Sequence, residues 1–252
     1  MKLSVVVPAH NEESSLAPTV TQLVETLNRE KIAHEIVIVN DGSTDGTTAV
    51  CERLSKIFPT VRFVENSPPN GFGLAVRRGL SEFKGDAVAI IMADSSDEPA
   101  DLVVGYRKLQ EGFDCVFGTR FKMGGRVVDY PWHKLIINRL ANWFISMIFT
   151  LPYNDTTNAF KLYRRTVIDG IQPLLSHHFN LTVEMPLKAI VRGFSYAVIP
   201  MRWYNRKSGL SKLRIQEMGS RYLFIVLYVW LEKHLSRGDY AIRKAGALDG
   251  VK

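Results

Sequence analysis

Cysteine and long apolar segments are both scarce in this sequence, and each shortage excludes a class of protein. The 252 residues include two cysteines, Cys51 and Cys115, each within a run predicted as helix or strand. So few thiols exclude a disulfide framework and indicate a reducing compartment. The apolar run at residues 222–231 has ten residues, whereas a helix needs about 20 to cross a bilayer. We therefore expect no membrane-spanning helix.

Targeting and repeat signals are also missing. The first ten residues, MKLSVVVPAH, lack the long apolar region of a signal peptide and predict a first strand. The sequence has no internal repeat, low-complexity tract or clear linker. We therefore expect one domain with a C-terminal extension.

The charge is divided unevenly along the chain. Residues 1–116 hold 11 Lys and Arg against 17 Asp and Glu, a net charge of −6. Residues 117–252 hold 21 against 8, a net charge of +13. This division suggests two subsites with different anionic ligands, one reached through a divalent cation and one met directly by cations. A merely soluble cationic surface is the alternative, and nucleic acid is not expected, since no DNA- or RNA-binding motif accompanies the charge.

Apolar strands alternate with helical patterns through the first half of the chain. The predicted strands are LSVVVP, HEIVIVND, VRFVEN, DAVAIIM and DCVFGT, and the predicted helices are 13–30, 47–58, 72–83 and 99–110. Such alternation with short connections predicts an α/β fold with a doubly wound, mostly parallel sheet. Ligands of such sheets bind beyond the carboxyl ends of the strands.

The second half is less regular and more basic. A loop, RFKMGGRVVDYP, leads to the helical segment HKLIINRLANWFISMIFTLPY, a helix near 183–191, a strand FSYAVIPMRW and a basic loop YNRKSGLSKLR. The final apolar segment, 222–231, has flanking cations, as do residues 140–151. Both segments suit buried core helices or helices that lie on a membrane surface without crossing it.

Polar residues follow four of the predicted strands. They stand in the segments VVVPAHNEE, VNDGSTDGT, PPNGFGLAVRRGL and IMADSSDEPADL. Each alone fits turn and capping chemistry, and the glycines of the third also suit an unspecific anion cradle at a helix start. Four such clusters at one edge of one sheet predict a binding site.

These segments together resemble glycosyltransferase family 2, and within it the dolichol-phosphate mannose synthase-like branch. The resemblance is carried by PAHNE at 8–12, DGSTDGT at 41–47 and MAD at 92–94, and continues in FGTRFKMGG, NRLAN, YNDTTNAFKLYRR and NRKSGLSK. It covers the chain through about residue 213. It implies a GT-A type, Rossmann-like sheet over 1–214, with a nucleotide-sugar half at 1–119, an acceptor half at 120–214, and an amphipathic helix and tail at 215–252.

The resemblance also assigns residues to the donor and to a cation. It implies a nucleotide-sugar pocket formed by Pro8, Asn11, Glu12, Asp41, Gly73 and Asp94. Asp94 matches the second aspartate of the family's Asp-Ala-Asp metal motif, whereas Met92 replaces the first. A thioether is a poor ligand for Mg²⁺ or Mn²⁺, so we expect Asp94 to hold the ion with diphosphate oxygens, helped by Ser96 or Asp97. For Asp97, Glu98 and Asp101 the favoured interpretation is acidic charge at a helix start.

Cations of the second half are matched to phosphates. The resemblance implies that Arg120, Arg139 and Ser211 bind an acceptor phosphate, and that Arg206, Ser211 and Lys212 lie in a late loop that closes over the donor diphosphate. Asp94, Arg206 and Lys212 are the expected catalytic residues. Asp155 and Glu184 match recurring family positions, although DTTNAF departs from the usual Ser-Gly before Phe160, and each could instead cap a helix or pair with a buried arginine.

The expected activity is inverting transfer of a sugar from GDP-mannose or a UDP-sugar to a polyprenyl phosphate, with Mg²⁺ or Mn²⁺ as cofactor. An acceptor hydroxyl on a saccharide or lipid, or a nucleotide-binding protein without turnover, remain alternatives. We expect a cytoplasmic protein attached peripherally to the inner face of the membrane, without nucleic acid, and a homo-oligomer is possible. The sequence does not reveal the donor base, the sugar or the acceptor lipid.

Overall fold

The fold is built on one central sheet flanked by helices. It is described from a computed structural model that covers residues 1–205 and 215–242, with side chains of 215–218 left aside. The strands are β1 Leu3–Ala9, β2 His34–Asn40, β3 Val61–Glu65, β4 Ala87–Ile90, β5 Cys115–Thr119, β6 Arg126–Val128, β7 Lys161–Arg164, β8 Tyr196–Pro200 and β9 Arg202–Tyr204. The helices are α1 Glu13–Arg29, α2 Thr47–Ile57, α3 Phe72–Glu82, α4 Pro99–Gln110, α5 Trp132–Phe149, α6 Arg165–Gly170, α7 Leu181–Val191 and α8 Ile215–Leu235.

Within the described residues the sheet has seven strands in the order β3-β2-β1-β4-β7-β5-β8. Every pair is parallel except those that β7 makes with β4 and β5. The predicted α/β class with a mostly parallel sheet is confirmed. The four-residue strand β7, KLYR, was not predicted, since its place depends on pairing with two strands distant in the chain.

Burial explains why the first strands lie at the centre. Every residue of β1 and β2 is buried, as expected of continuous apolar runs covered on both faces of a parallel sheet. One core packs α1, α2 and α4 against one face, and a second core packs α3, α6 and α7 against the other. The carboxyl ends of β1, β2 and β4 therefore open at one shared edge.

The predicted strand FSYAVIPMRW is two strands in the structure. β8 pairs with β5, and β9 leaves the main sheet to pair in parallel with β6. The change occurs at Met201, a fully buried residue whose N–H donates to the Thr119 carbonyl at 2.9 Å. This second, two-stranded sheet stands beside the edge where the predicted site residues collect.

Two long helices of the basic half form a third layer. α5 and α8 pack together with α7 through an apolar core that includes Phe149, Leu187 and Val229. Both helices also carry exposed apolar side chains, so each packs into the core on one face and presents an apolar surface on another. No helix in the described part of the chain combines the length and apolarity required to cross a membrane.

A buried ion pair fastens α8 to α7. Arg192 Nε and Nη2 donate to the two Glu232 carboxylate oxygens at 2.8 and 3.0 Å, and Arg192 Nη1 donates to the carbonyls of Gly170 and Gln172. Both side chains are almost fully buried, at 3% and 4% exposure.

We expect Glu232→Ala to lower the free energy of unfolding by about 3 kcal/mol, because it leaves the buried Arg192 charge without its carboxylate. Urea denaturation followed by circular dichroism measures the change. The matched control is Glu111→Ala, which removes the partner of exposed Lys108 and should cost less than about 1 kcal/mol. Equal losses in the two variants would contradict a clamping role for Glu232.

Candidate active site

A cavity of about 700 Å³ lies at the edge where β1, β2 and β4 end. Its lining brings together the acidic half, through Pro8, Glu12, Asp41 and Asp94, and the basic half, through Arg120. The structure therefore has a cavity at the predicted location, beyond the carboxyl ends of the parallel strands.

Asp41 is held in place at the cavity by several hydrogen bonds. It is 5% exposed, its Oδ1 accepts from Asn66 Nδ2 at 2.7 Å, and its Oδ2 accepts from the Gly71 N–H at 2.9 Å. Asn70 Nδ2 donates to the Asp41 carbonyl at 3.0 Å, and His10 Nδ1 lies 2.7 Å from the same oxygen. Asp41 thus positions the loop that starts α3 while it lines the cavity.

Two of the residues predicted to bind the nucleotide, Asn11 and Gly73, are absent from the cavity lining. Asn11 has a φ of 53°, which asparagine tolerates better than most residues, and its Oδ1 accepts from the Thr44 N–H at 2.7 Å. A Cβ on Gly73 would approach the His177 carbonyl carbon to 2.6 Å, so this glycine allows α3 to pack against that segment. Asn11 and Gly73 therefore support neighbouring loops, whereas the segment of the expected anion cradle lines the cavity through Asn70, Gly71 and Phe72.

The acidic segment after β4 enters the cavity. Asp94, Ser96 and Asp97 all line it. Asp94 Oδ1 accepts from the Ser96 N–H at 3.1 Å, and Asp97 Oδ2 accepts from the Met92 N–H at 3.0 Å. Burial raises the pKa of Asp97 to about 7, the Met92 hydrogen bond opposes this shift, and the negative charge of Asp94 adds to it.

The interpretation of Asp97 as helix-start charge is wrong. α4 begins at Pro99 and its N-cap residue is Glu98, which makes no side-chain capping bond. Asp97 precedes the N-cap residue. Its carboxylate accepts a hydrogen bond from the N–H of Met92, two residues after β4, and none from the first turn of α4. Asp101 does lie in the first turn of α4, where its carboxylate also accepts from the Arg202 N–H at 2.7 Å.

The donor set at this end of the cavity fits a hard cation. It contains the carboxylate of Asp94 and the hydroxyl of Ser96, which is 1% exposed and has no hydrogen-bond partner among the described residues. Oxygen ligands of this kind suit Mg²⁺ or Mn²⁺, whereas the thioether of Met92 in the same lining does not. The described residues contain no group of three or more His, Cys, Asp or Glu placed to hold a metal. Further ligands would have to come from a bound phosphate.

Arg120 reaches the cavity from a buried ion pair. Its Nε and Nη2 donate to Asp155 Oδ2 and Oδ1 at 2.8 and 2.7 Å, and its own N–H donates to Asp155 as well. Burial alone would lower the pKa of Arg120, but the Asp155 carboxylate raises it above its usual range. Asp155 therefore orients Arg120, and of the guanidinium nitrogens only Nη1 has no hydrogen bond from the described residues.

A second buried cation lies beneath this pair. Lys161 is 1% exposed and donates through Nζ to the Thr156 carbonyl at 3.0 Å and to the Asn158 carbonyl. Burial lowers the pKa of Lys161 to about 7, Asp155 opposes the shift, and Arg120 reinforces it. Asp155 is thus the carboxylate that balances two cations.

The structure places Arg139 and Glu184 outside the cavity lining. Arg139 is absent from the cavity lining: its Nη1 donates to the Asn154 carbonyl at 3.0 Å and its guanidinium lies 4.4 Å from the Phe121 ring centre. Glu184 is fully buried, pairs with Lys188 Nζ at 2.8 Å, and accepts from two backbone N–H groups, so it holds the fold. Arg206, Ser211 and Lys212 lie outside the described residues.

An apolar groove of about 320 Å³ runs between α5 and α8 and joins the polar cavity. The two spaces share Tyr130, Lys134 and Thr157 in their linings. Lys134 from α5 and Arg221 from α8 bring cations to the polar cavity near this junction.

Lys134 and Arg221 are functional candidates that the sequence reasoning did not assign, whereas Ser96 was already expected to help Asp94. For Lys134 a signal was present, because α5 lines the groove with residues at helical spacing: Lys134, Ile137, Asn138, Ala141, Phe144 and Ile145. Arg221 had none, since its placement depends on how α8 docks.

Comparison with known proteins agrees with this geometry. A model described as Glycosyl transferase family 2 matches residues 4–171. Polyprenol monophosphomannose synthase of Mycolicibacterium smegmatis is 28% identical over 215 residues, which are 83% of this chain and 80% of that protein. Dolichol-phosphate mannosyltransferase of Pyrococcus furiosus is 28% identical over 217 residues, 85% of this chain but 60% of that protein.

Solved structures share the fold at lower identity. A crystal structure of Mycobacterium tuberculosis glucosyl-3-phosphoglycerate synthase with Mn²⁺, UDP and phosphoglyceric acid has a TM-score of 0.69 at 16% identity, covering 97% of this chain and 80% of that one. Another, with Mg²⁺ and UDP, has a TM-score of 0.66 at 17% identity, covering 92% and 79%. The similarity establishes a GT-A type fold.

Proposed function

The chain belongs to glycosyltransferase family 2 and is a glycosyltransferase, and on this premise we propose that it transfers a sugar from a nucleoside diphosphate sugar to a polyprenyl phosphate. GDP-mannose or a UDP-sugar is the proposed donor. The names of the two relatives at 28% identity support a polyprenyl or dolichyl phosphate acceptor.

One observation carries this proposal: a polar cavity and an apolar groove meet at a junction that contains a cation. The groove between α5 and α8 is lined by side chains such as Ile137, Phe144 and Val226, which suit an isoprenoid chain. Lys134 stands at the junction and Arg221 lines the adjoining polar cavity, where the lipid phosphate would lie. A saccharide acceptor would leave such an apolar groove without an evident use.

The proposed reaction is a single displacement with inversion. A phosphate oxygen of the acceptor attacks the anomeric carbon, the bond from that carbon to the donor diphosphate breaks, and the nucleoside diphosphate leaves with the electron pair. An ionised phosphate needs no general base, unlike a hydroxyl. This chain's residues would bind and align both reactants, with Asp41 and Glu12 on the nucleotide side and Arg120 Nη1 facing the phosphates.

The cation belongs at the acidic end of the cavity. When bound by Asp94 and the donor diphosphate, Mg²⁺ or Mn²⁺ would neutralise the charge that develops on the leaving group. Arg206 and Lys212 remain proposed partners of the same diphosphate on the strength of the family resemblance.

We also propose that α5 and α8 rest on a membrane surface beside the acceptor groove. Trp132, Trp143 and Phe224 are 73%, 62% and 61% exposed on these helices. Aromatic and aliphatic side chains beside Lys and Arg are typical of helices that lie at the headgroup level. Such a placement would bring the groove entrance to the lipid acceptor.

An acceptor comparison tests the proposed function. The purified full chain is incubated with Mn²⁺, a panel of GDP- and UDP-sugars, and either a polyprenyl phosphate or the matching free polyprenol. We expect transfer to the phosphate and none to the alcohol. Preferred transfer to the alcohol would establish a hydroxyl acceptor instead, and the absence of transfer from every donor would favour a nucleotide-binding role without turnover.

Lys134 and Arg221 should determine how tightly the acceptor phosphate binds. We expect Arg221→Gln and Lys134→Gln each to raise the KM for polyprenyl phosphate about tenfold, since each removes a charge-assisted contact, while the KM for the donor changes little. Steady-state kinetics with each substrate varied in turn measures this. Lys233→Gln, which removes an α8 cation outside both linings, is the control, and an unchanged acceptor KM in both test variants would contradict the assignment.

A further inference from the structure

The loop after β4 is turned toward the cavity by one left-handed residue. Ser95 has a φ of 58°, which residues other than glycine, Asn and Asp seldom adopt. Its hydroxyl lies 2.6 Å from Thr19 Oγ1, so α1 holds the turn from one side. The Tyr204 N–H donates to the Ser96 carbonyl at 3.1 Å, so β9 holds it from the other. The cavity lining here contains Met92, Asp94, Ser96 and Asp97.

Ser96 supplies a sign that a ligand belongs at this loop. Its side chain is 1% exposed, and its Oγ has no hydrogen-bond partner in the described part of the chain. Buried hydroxyl groups in folded proteins nearly always have a partner. Because Ser96 lines the cavity, the missing partner is best supplied by something bound in it.

Only one of the two carboxylate oxygens of Asp97 accepts a hydrogen bond from the described residues. It is 9% exposed, and Oδ2 accepts from the Met92 N–H at 3.0 Å. The described residues give Oδ1 no hydrogen bond. Asp94, in the same lining, is oriented in a similar way by the Ser96 N–H on its Oδ1. The loop therefore presents two carboxylates and one hydroxyl to a single space.

Because Met92 stands where the family motif has an acidic residue, a second carboxylate ligand for the cation would have to come from another position. The resemblance to the family's Asp-Ala-Asp motif puts an acid at residue 92, and this chain has a thioether there. The thioether lines the cavity but is a poor ligand for a hard cation. The backbone of the same residue, however, fixes the carboxylate of Asp97.

We propose that Asp97 replaces the acid missing at Met92 as the second carboxylate ligand of a bound Mg²⁺ or Mn²⁺, together with Asp94 and Ser96 Oγ. The inference rests on the proposed function for its remaining ligands, which are oxygens of the donor diphosphate. It assigns a metal-binding role to a residue that the motif itself leaves out.

Metal binding is measured apart from turnover. The full chain is titrated with Mn²⁺ in the presence of saturating GDP, and separately UDP, and free Mn²⁺ is followed by its electron paramagnetic resonance signal. We expect one tight site in the wild type, at least tenfold weaker binding in Asp97→Asn, and weaker binding in Ser96→Ala. We expect Met92→Asp, added to Asp97→Asn, to restore most of the affinity.

Glu98→Gln is the matched control, because Glu98 adjoins Asp97 and lies outside the cavity lining. It should bind Mn²⁺ like the wild type. Circular dichroism and thermal melting check that each variant is folded, and Ser96→Ala gives a second reading of the same site if Asp97→Asn does not fold.

The outcomes separate this inference from the proposed function. Unchanged Mn²⁺ affinity in both Asp97→Asn and Ser96→Ala overturns the inference, as does the absence of Mn²⁺ binding in the wild type. If the wild type transfers sugar while chelated with EDTA, the transferase proposal stands and the metal site falls. If Mn²⁺ binding depends on Asp97 but no donor and acceptor react, the metal site stands and the transferase proposal falls.

Discussion

Replacing Asp94 by asparagine is expected to lower kcat for sugar transfer by about 10²–10³-fold, the range seen when one electrostatic contact to a transition state is removed. Asp94 lines the cavity at its acidic end, and its carboxylate is the family-matched acid that this chain retains. Asparagine has the same shape, and its Oδ1 can still accept the Ser96 N–H that Asp94 accepts at 3.1 Å. The loop should therefore keep its conformation while the charge is lost.

Initial rates at saturating donor and acceptor measure this effect across a range of Mn²⁺ concentrations. Excess Mn²⁺ should recover only part of the rate, since one ligand of the ion is weakened and its charge no longer balanced. Asp169→Asn, a change at an exposed residue of α6, should leave kcat within about twofold of the wild type. A folded Asp94→Asn protein with wild-type kcat would remove Asp94 from the active site and with it the proposed place of the cation.

The parts of the site that the sequence predicts are those that depend on local pattern and on sheet topology. β1 and β2 are continuous apolar runs, and both are buried along their whole length. Because parallel strands end at one edge, the polar residues that follow them were expected to meet there, and Pro8, Glu12, Asp41 and Asp94 do line one cavity. The binding roles given to these residues stay predictions.

The parts that escaped prediction depend on contacts between distant segments. Arg120 and Asp155 are 35 residues apart in sequence, and nothing local indicates that they pair. The strand β7 is four residues long and includes the buried cation Lys161, so neither length nor hydrophobicity marks it. The burial of Lys161 is explained by the nearby Asp155 carboxylate and by the backbone carbonyls that accept hydrogen bonds from its amine.

Helix geometry explains why Lys134 lines the cavity whereas Arg139, in the motif of α5, does not. Arg139 stands five residues after Lys134, and five residues at about 100° each place it roughly 140° further around the helix. Lys134 therefore faces the groove and cavity, whereas Arg139 contacts Asn154 and Phe121. The spacing of Ile137, Asn138 and Ala141 in the groove lining identifies the face that matters.

The second large effect is expected at Asp155, which positions Arg120 and does not itself line the cavity. Asp155 is fully buried and pairs with Arg120, and its negative charge acts to raise the pKa values of both Arg120 and Lys161. We expect Asp155→Ala to lower the free energy of unfolding by about 3–5 kcal/mol, the usual result of leaving a buried charge unpaired. The proximity of two buried cations should place the loss toward the upper end. Urea denaturation measures it, with Glu82→Ala in the half-exposed Arg78 pair as control.

A double variant distinguishes the structural contribution of this pair from its contribution to catalysis. Arg120→Met with Asp155→Leu removes both charges and fills the space with apolar atoms, so stability should recover to within about 2 kcal/mol of the wild type. Transfer activity should stay low, because the cavity lining would lose the Arg120 guanidinium. Recovery of stability and activity together would mean that the pair serves the fold alone. Recovery of stability without activity would indicate that burying Asp155 serves to aim a single guanidinium nitrogen at the reacting phosphates.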